Sequence, residues 1–159
     1  MKIAEGDRSG VRLFPPLIFV AALGMAFLIH WRFPVHVVPA EYVRPLRVVG
    51  IVLLLAWLAL AIWAIATFRR IGTTANPAGG STALALKGPY RFSRNPMYFS
   101  LLLLMAGVGL VANTLWPLLL LPLLVVVVRR KVIDHEERYL TAKFGEPYRA
   151  YTARVRRWI

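Results

Sequence analysis

Long stretches without a single charged side chain constrain this chain more than any other feature it has. Residues 95–128 form a run of 34 with no charge, 48–68 a run of 21, and 13–31 a run of 19. About 20 apolar residues, rising about 1.5 Å each, cross the hydrocarbon core of a bilayer as a helix. Helices satisfy their own backbone polar groups there, as an open sheet cannot. The two shorter runs fit one span each, whereas the longest is too long for one helix and suits two. Near its middle lies Asn113-Thr114, a polar pair fit for a turn, with Pro117 just inside the segment that follows. The expected fold is an all-α integral membrane domain occupying 1–159. Its four transmembrane helices cover 13–31, 47–68, 96–112 and 115–131, the last two forming a tight hairpin, with cytoplasmic interfacial helices at the C-terminus.

The first run follows Lys2, Arg8 and Arg12, as a secretory signal would. No small-residue cleavage site comes after it, only His30-Trp31-Arg32-Phe33-Pro34, so an uncleaved signal-anchor helix is expected. Charge then orients the spans. The chain carries 20 Lys+Arg against 7 Asp+Glu, a net +13, while 58% of its residues are hydrophobic. Three cations precede the first span, three lie in the 31–47 loop, five in 69–96 and nine beyond 128; the hairpin turn has none. Four spans gather seventeen of the twenty on one side, which the positive-inside rule makes cytoplasmic, together with both termini. Such a surplus on an apolar chain points to lipid headgroups rather than nucleic acid.

Several chemistries are excluded. There is no cysteine, hence no disulfide framework, thiolate metal site or cysteine nucleophile. No glycine-rich phosphate loop, HExxH or G-x-S-x-G motif is present. His30, His36 and His135 are scattered, and a metal site is not expected.

Polar residues concentrate in two cytoplasmic stretches. In the first, Asn95-Pro96 reads as a helix start, with Asn95 as N-cap and Pro96 at the first helical position. The free amides of that helix end, flanked by Arg91 and Arg94, suit a carboxylate or phosphate. Gly88-Pro89 supplies a turn that brings the preceding loop over it. In the second stretch, four of the seven acids fall within 134–146. Consecutive helical residues point about 100° apart, so Glu136 and Glu137 divide their tasks: one faces inward to accept hydrogen bonds, the other pairs with an arginine. Beyond Gly145, Tyr148, Tyr151, Val155 and Trp158 mark one face of an interfacial helix, a lid or anchor, with Arg149, Arg154, Arg156 and Arg157 available to headgroups.

Gly88-Pro89-Tyr90-Arg91-x-x-Arg94-Asn95-Pro96-Met97-Tyr98, a hairpin, and then Glu136-Glu137-x-x-Leu140-x-x-x-Phe144-Gly145-x-x-Tyr148-x-x-Tyr151 closely resemble the isoprenylcysteine carboxyl methyltransferase and phospholipid methyltransferase superfamily. These are membrane enzymes that use S-adenosylmethionine, and the resemblance covers about 84–158. It implies that Arg94 and Glu137 take part in catalysis. It further implies a cofactor site built from Gly88, Pro89, Tyr90, Arg91, Arg94, Asn95, Pro96, Tyr98, Glu136, Glu137 and Tyr148. Gly107-Val108-Gly109 is similar to the Gly-x-Gly used for the same cofactor by phospholipid N-methyltransferases. Two positions depart from the isoprenylcysteine enzymes, which commonly have His where Asn95 stands and Gly where Ser100 stands.

Read this way, Arg91 or Arg94 and the amides after Pro96 hold the cofactor carboxylate. Glu136 or Glu137 takes its ribose hydroxyls or ammonium, and Tyr90, Tyr98 or Tyr148 packs on its adenine. Methyl transfer is an in-line displacement served by alignment and exclusion of water, which calls for no metal. A lipophilic acceptor reaches the site sideways from the bilayer; isoprenylcysteine, phosphatidylethanolamine, a small thiol and an isoprenoid acid are all compatible. The content of Ala, Leu, Val and Arg hints at a bacterial cytoplasmic membrane. Two other readings are a membrane reductase using NADPH and a non-enzymatic lipid-binding protein.

Overall fold

Prolines mark where the helices begin. The computed structural model describes residues 15–72 and 82–158. Helix α1 (Pro15–Arg32) opens on Pro15-Pro16, and α3 (Pro96–Val111) opens on Pro96. Pro117 stands in the first turn of α4 (Trp116–Val128), and Pro147 in that of α6 (Glu146–Arg154). A proline in the first turn costs nothing, because those N–H groups have no helical acceptor. The same tolerance explains why α2 (Val43–Arg70) begins ahead of the uncharged run. Pro45 fits its first turn, after a short 3-10 turn at Ala40–Tyr42, and Arg44 and Arg47 join the helix.

Among the described residues there is no strand. By length and composition, α1 and α2 are the helices able to cross a membrane. Helix α3 has 16 residues and α4 only 13, both shorter than the spans expected there. Helix α4 does not break off where the charged residues begin. It runs through a π-turn (Arg129–Ile133) directly into α5 (Asp134–Phe144). Gly145, with φ +58°, then reverses the chain into α6. The tyrosine face predicted to stay helical to Trp158 stops earlier: α6 ends at Arg154, and Val155 is extended.

The turn between α3 and α4 is built on Asn113, which takes φ +50°. Thr114 N–H closes the end of α3 on Gly109 O at 2.9 Å. The Asn113 amide also clamps the loop after α1. Its Oδ1 accepts from Val37 N and Val38 N, each at 3.1 Å, and its Nδ2 donates to Val38 O at 3.0 Å. His30 joins this end through Thr114 Oγ1, 2.9 Å from its Nδ1. His30 and His36 meet ring to ring at 5.5 Å, but no group of three metal-ligating side chains occurs among the described residues.

Helix α3 lies at the centre, with α2 on one side and α4 and α1 on the other; α1 and α2 make little contact with each other. Phe19, Tyr98, Met105, Leu124, Val128, Val132 and Ile133 form the buried core, and Trp158 packs against it. Leu17, Val20 and Leu28 on α1, and Val48, Ile51, Leu55, Leu58 and Ile62 on α2, stay exposed. Apolar surface on this scale needs a nonaqueous neighbour.

Candidate cofactor and acceptor site

The loop before α3 is pinned from both sides. Gly88 adopts φ +60° and lies so close to α2 that a side chain there would collide with Thr67 Oγ1. The 3-10 turn it opens (Gly88–Arg91) buries Pro89 and Tyr90, and the Tyr90 ring meets Phe68 at 5.1 Å. Tyr151 donates its hydroxyl to Tyr90 O at 2.7 Å. On the other side the extended C-terminal strap crosses the loop. Arg94 N–H donates to Arg156 O at 2.9 Å, and both Ser93 Oγ (3.2 Å) and Asn95 Nδ2 (3.0 Å) donate to Arg157 O. Asn95 therefore occupies the N-cap position of α3 without capping it: its amide is taken by the strap, and its own N–H is satisfied by Ser93 Oγ at 3.1 Å.

The two glutamates separate as their angular spacing requires. Glu136 Oε2 accepts from the Tyr98 hydroxyl at 2.8 Å. Glu137 faces the arginines: Arg94 Nη1 lies 3.1 Å from its Oε1, Arg157 Nε donates to that same oxygen at 3.2 Å, and Arg157 Nη2 engages Oε2. Arg157 also reaches Asp134 Oδ1 at 3.0 Å. Sequence reasoning assigned Arg157 to headgroups. The signal that could have found it is the surplus of carboxylates, since Asp134 and Glu137 stand on one face of α5, three residues apart.

A cavity of about 570 Å³ opens beside this cluster. Arg94, Asn95, Tyr98 and Glu136 are its polar lining. Trp57, Ala61, Ile65 and Phe68 of α2, Pro15 and Pro16 of α1, and Leu101 of α3 line its apolar part. Tyr90, Pro96, Met97 and Ser100 complete the wall. The buried Nε–H of Arg94 finds no acceptor among the described residues. Burial pushes the Glu136 carboxyl above the ordinary range, the Tyr98 hydroxyl pulls it back, and Glu137 adds to the rise. Burial likewise raises Tyr90 far above a free phenol, and lifts Tyr148 to about 12 with Glu137 adding and Arg94 opposing.

Not every expected residue reaches the cavity. Arg91 is exposed and absent from its wall. Tyr148 is buried beside Tyr151, ring centroids 6.1 Å apart, also off the wall. Gly88 and Pro89 shape the turn rather than the lining. Gly107 and Gly109 serve packing. A Cβ on Gly107 would sit 3.0 Å from Gly50 O, and one on Gly109 would sit 3.2 Å from Pro117 Cβ and 3.3 Å from Thr114 O. Neighbouring helices and the hairpin turn crowd both positions.

With this arrangement in view, the comparison with known proteins is informative. The phospholipid methyltransferase family profile matches residues 46–147, well over half of the chain. The chain belongs to the phospholipid methyltransferase family. The matched stretch of this family member runs from α2 through the hairpin to the start of α6, and holds Arg94, Glu136 and Glu137. It leaves out α1 and the strap with Arg157. An uncharacterised protein of Haemophilus influenzae is 41% identical over 68 residues, covering 40% of this chain and the whole of that relative. No solved structure matches. The family, together with two apolar helices long enough to span, makes this a membrane-associated methyltransferase.

Proposed function

We propose that this single membrane domain transfers a methyl group from S-adenosylmethionine to a lipophilic acceptor at the cytoplasmic face. In this reading α1 and α2 span the bilayer, the α3–α4 hairpin forms the third and fourth crossings, and both termini lie in a bacterial cytoplasm. One observation carries the reading: a single cavity is lined both by Arg94 and Glu136 and by a set of apolar side chains. The orphaned Arg94 Nε–H and the Glu136 carboxylate fit the opposite charges of an amino acid moiety. The apolar wall of Trp57, Ala61, Ile65 and Phe68 fits an acyl or isoprenoid chain.

The sulfonium, when bound, supplies an activated methyl group; the protein's part is to bind, align and keep out water. Arg94 holds the carboxylate, while Glu136, oriented by the Tyr98 hydroxyl, accepts from the ammonium or a ribose hydroxyl. Glu137 has both oxygens engaged by guanidinium groups, so its role is to hold Arg94 in position. Buried Tyr90 offers a ring against which a base can pack.

The test is thermal unfolding of detergent-solubilised protein with S-adenosylhomocysteine, alongside labelled methyl transfer into a total lipid extract. Stabilisation that Arg94→Gln abolishes, with a labelled lipid product, is expected. No stabilisation by S-adenosylhomocysteine, or stabilisation by NADPH instead, overturns the proposal.

A further inference from the structure

Glu137 presents a problem of charge. It lies 3.1 Å from the one guanidinium that lines the cavity, and the two side chains are only 16% and 17% exposed. A pair so close and so little hydrated cancels itself, leaving Arg94 with little attraction for a further anion. The structure places a second cation on the far side of the same carboxylate. Arg157 donates to both Glu137 oxygens and extends to Asp134. Contact with Glu137 raises the Arg157 guanidinium above its usual range, with Asp134 adding to the rise.

We infer that Arg157 is a positioning residue of the cofactor site: by sharing the Glu137 carboxylate, it loosens that carboxylate's hold on the Arg94 guanidinium, which is then freer to meet an anionic group in the cavity. The inference rests on the proposed reading of that cavity. Arg157 does not line the cavity, so it acts through Glu137 and Arg94. The fold supplies this cation through its backbone. The Arg157 carbonyl receives Ser93 Oγ and Asn95 Nδ2, the Arg156 carbonyl receives Arg94 N–H, and Trp158 anchors the strap in the core. The loop that bears Arg94 and the strap that bears Arg157 are thereby one unit. These contacts use the strap's backbone and Trp158, and none of them is removed by replacing the Arg157 side chain.

Binding of S-adenosylhomocysteine to the full chain in detergent, measured by calorimetry, tests the assignment. Arg157→Gln is expected to weaken binding about tenfold, the size of one charge-assisted contact. It should raise KM for S-adenosylmethionine with kcat little changed. Arg157→Lys, which keeps the charge, should recover most of the loss. In a Glu137→Gln background the carboxylate that Arg157 shares with Arg94 is gone, and Arg157→Gln should then cost little more. Unchanged binding by folded Arg157→Gln, or an equal loss in both backgrounds, overturns the inference; the latter result would mean that Arg157 only packs the strap. If Arg157→Gln fails to fold, failure of Arg157→Lys to keep most of the wild-type binding overturns it. Wild-type protein that does not bind S-adenosylhomocysteine removes the reading of the site itself, and this inference with it.

Discussion

Replacing Gly107 by alanine separates a packing glycine from a cofactor glycine. The new Cβ would lie 2.8 and 2.9 Å from Leu54 Cδ2 and Cγ, and 3.0 Å from Gly50 O. Carbon contacts settle at about 3.5–4.0 Å, so the α2–α3 seam must open by several tenths of an ångström. Leu54 can swing aside. The Gly50 carbonyl belongs to α2 and moves only with the helix. Overpacking of this kind costs about 1–3 kcal/mol, offset by up to about 1 kcal/mol of helix propensity gained over glycine. A net loss of about 1–2 kcal/mol lowers Tm by about 2–8 °C in a chain of this size. Gly50→Ala presses on the same seam, 2.9 Å from Gly107 O, so the double variant should lose less than the sum. Gly24→Ala is the control: with nothing within 4 Å, it should hold or raise Tm. The assay is thermal unfolding in detergent with and without S-adenosylhomocysteine. If Gly107→Ala kept its Tm but lost the ligand-induced shift, the packing argument would be wrong.

Two further outcomes follow from the site and the hairpin. The folded-state value of Glu136 is raised by burial, so its contribution to stability is full below the ordinary carboxylate range and is lost as pH rises through the raised value. Glu136→Gln should remove that loss, flattening Tm against pH and raising Tm at neutral pH while weakening S-adenosylhomocysteine binding; superimposable Tm–pH curves would refute this. Asn113→Ala removes three hydrogen bonds to Val37 and Val38 and sets alanine at φ +50°, a loss of about 2–4 kcal/mol seen as a lowered Tm. Asn113→Gly, free of the backbone strain, should fall between the two, and Tm equal to wild type for both would be the contrary result.

Local rules made a good part of this molecule legible. Charge-free runs located four apolar helices, and Pro96 and Pro117 marked the starts of two of them. The 100° step between neighbours already required Glu136 and Glu137 to part company, and the structure gives one to Tyr98 and the other to arginine. What stayed hidden depends on contacts distant in sequence. Asn95 has the right identity and position for a cap, yet a carbonyl 62 residues away holds its amide. Asn113 was visible as a turn, but not as the clamp on a loop 75 residues earlier. Arg157 looked like one more headgroup cation because periodicity extended α6 through it, whereas the chain straightens at Val155 and turns that side chain inward. Gly107 and Gly109 matched a motif whose glycines have two uses, and the close approach of α2 and Pro117 to them was not visible in the sequence.

The π-turn at Arg129–Ile133 has an effect reaching beyond its own five residues. A π-turn absorbs one residue more than an α-turn, so everything after it lags by one step, about 100° of rotation. Had the rod from Trp116 continued as plain α-helix, Glu136 would stand where Glu137 now meets Arg94 and Arg157. His135 would then occupy the place opposite Tyr98. The widened turn is a phase shifter between the apolar and charged halves of one helix, and it determines whether a carboxylate or an imidazole looks into the cavity.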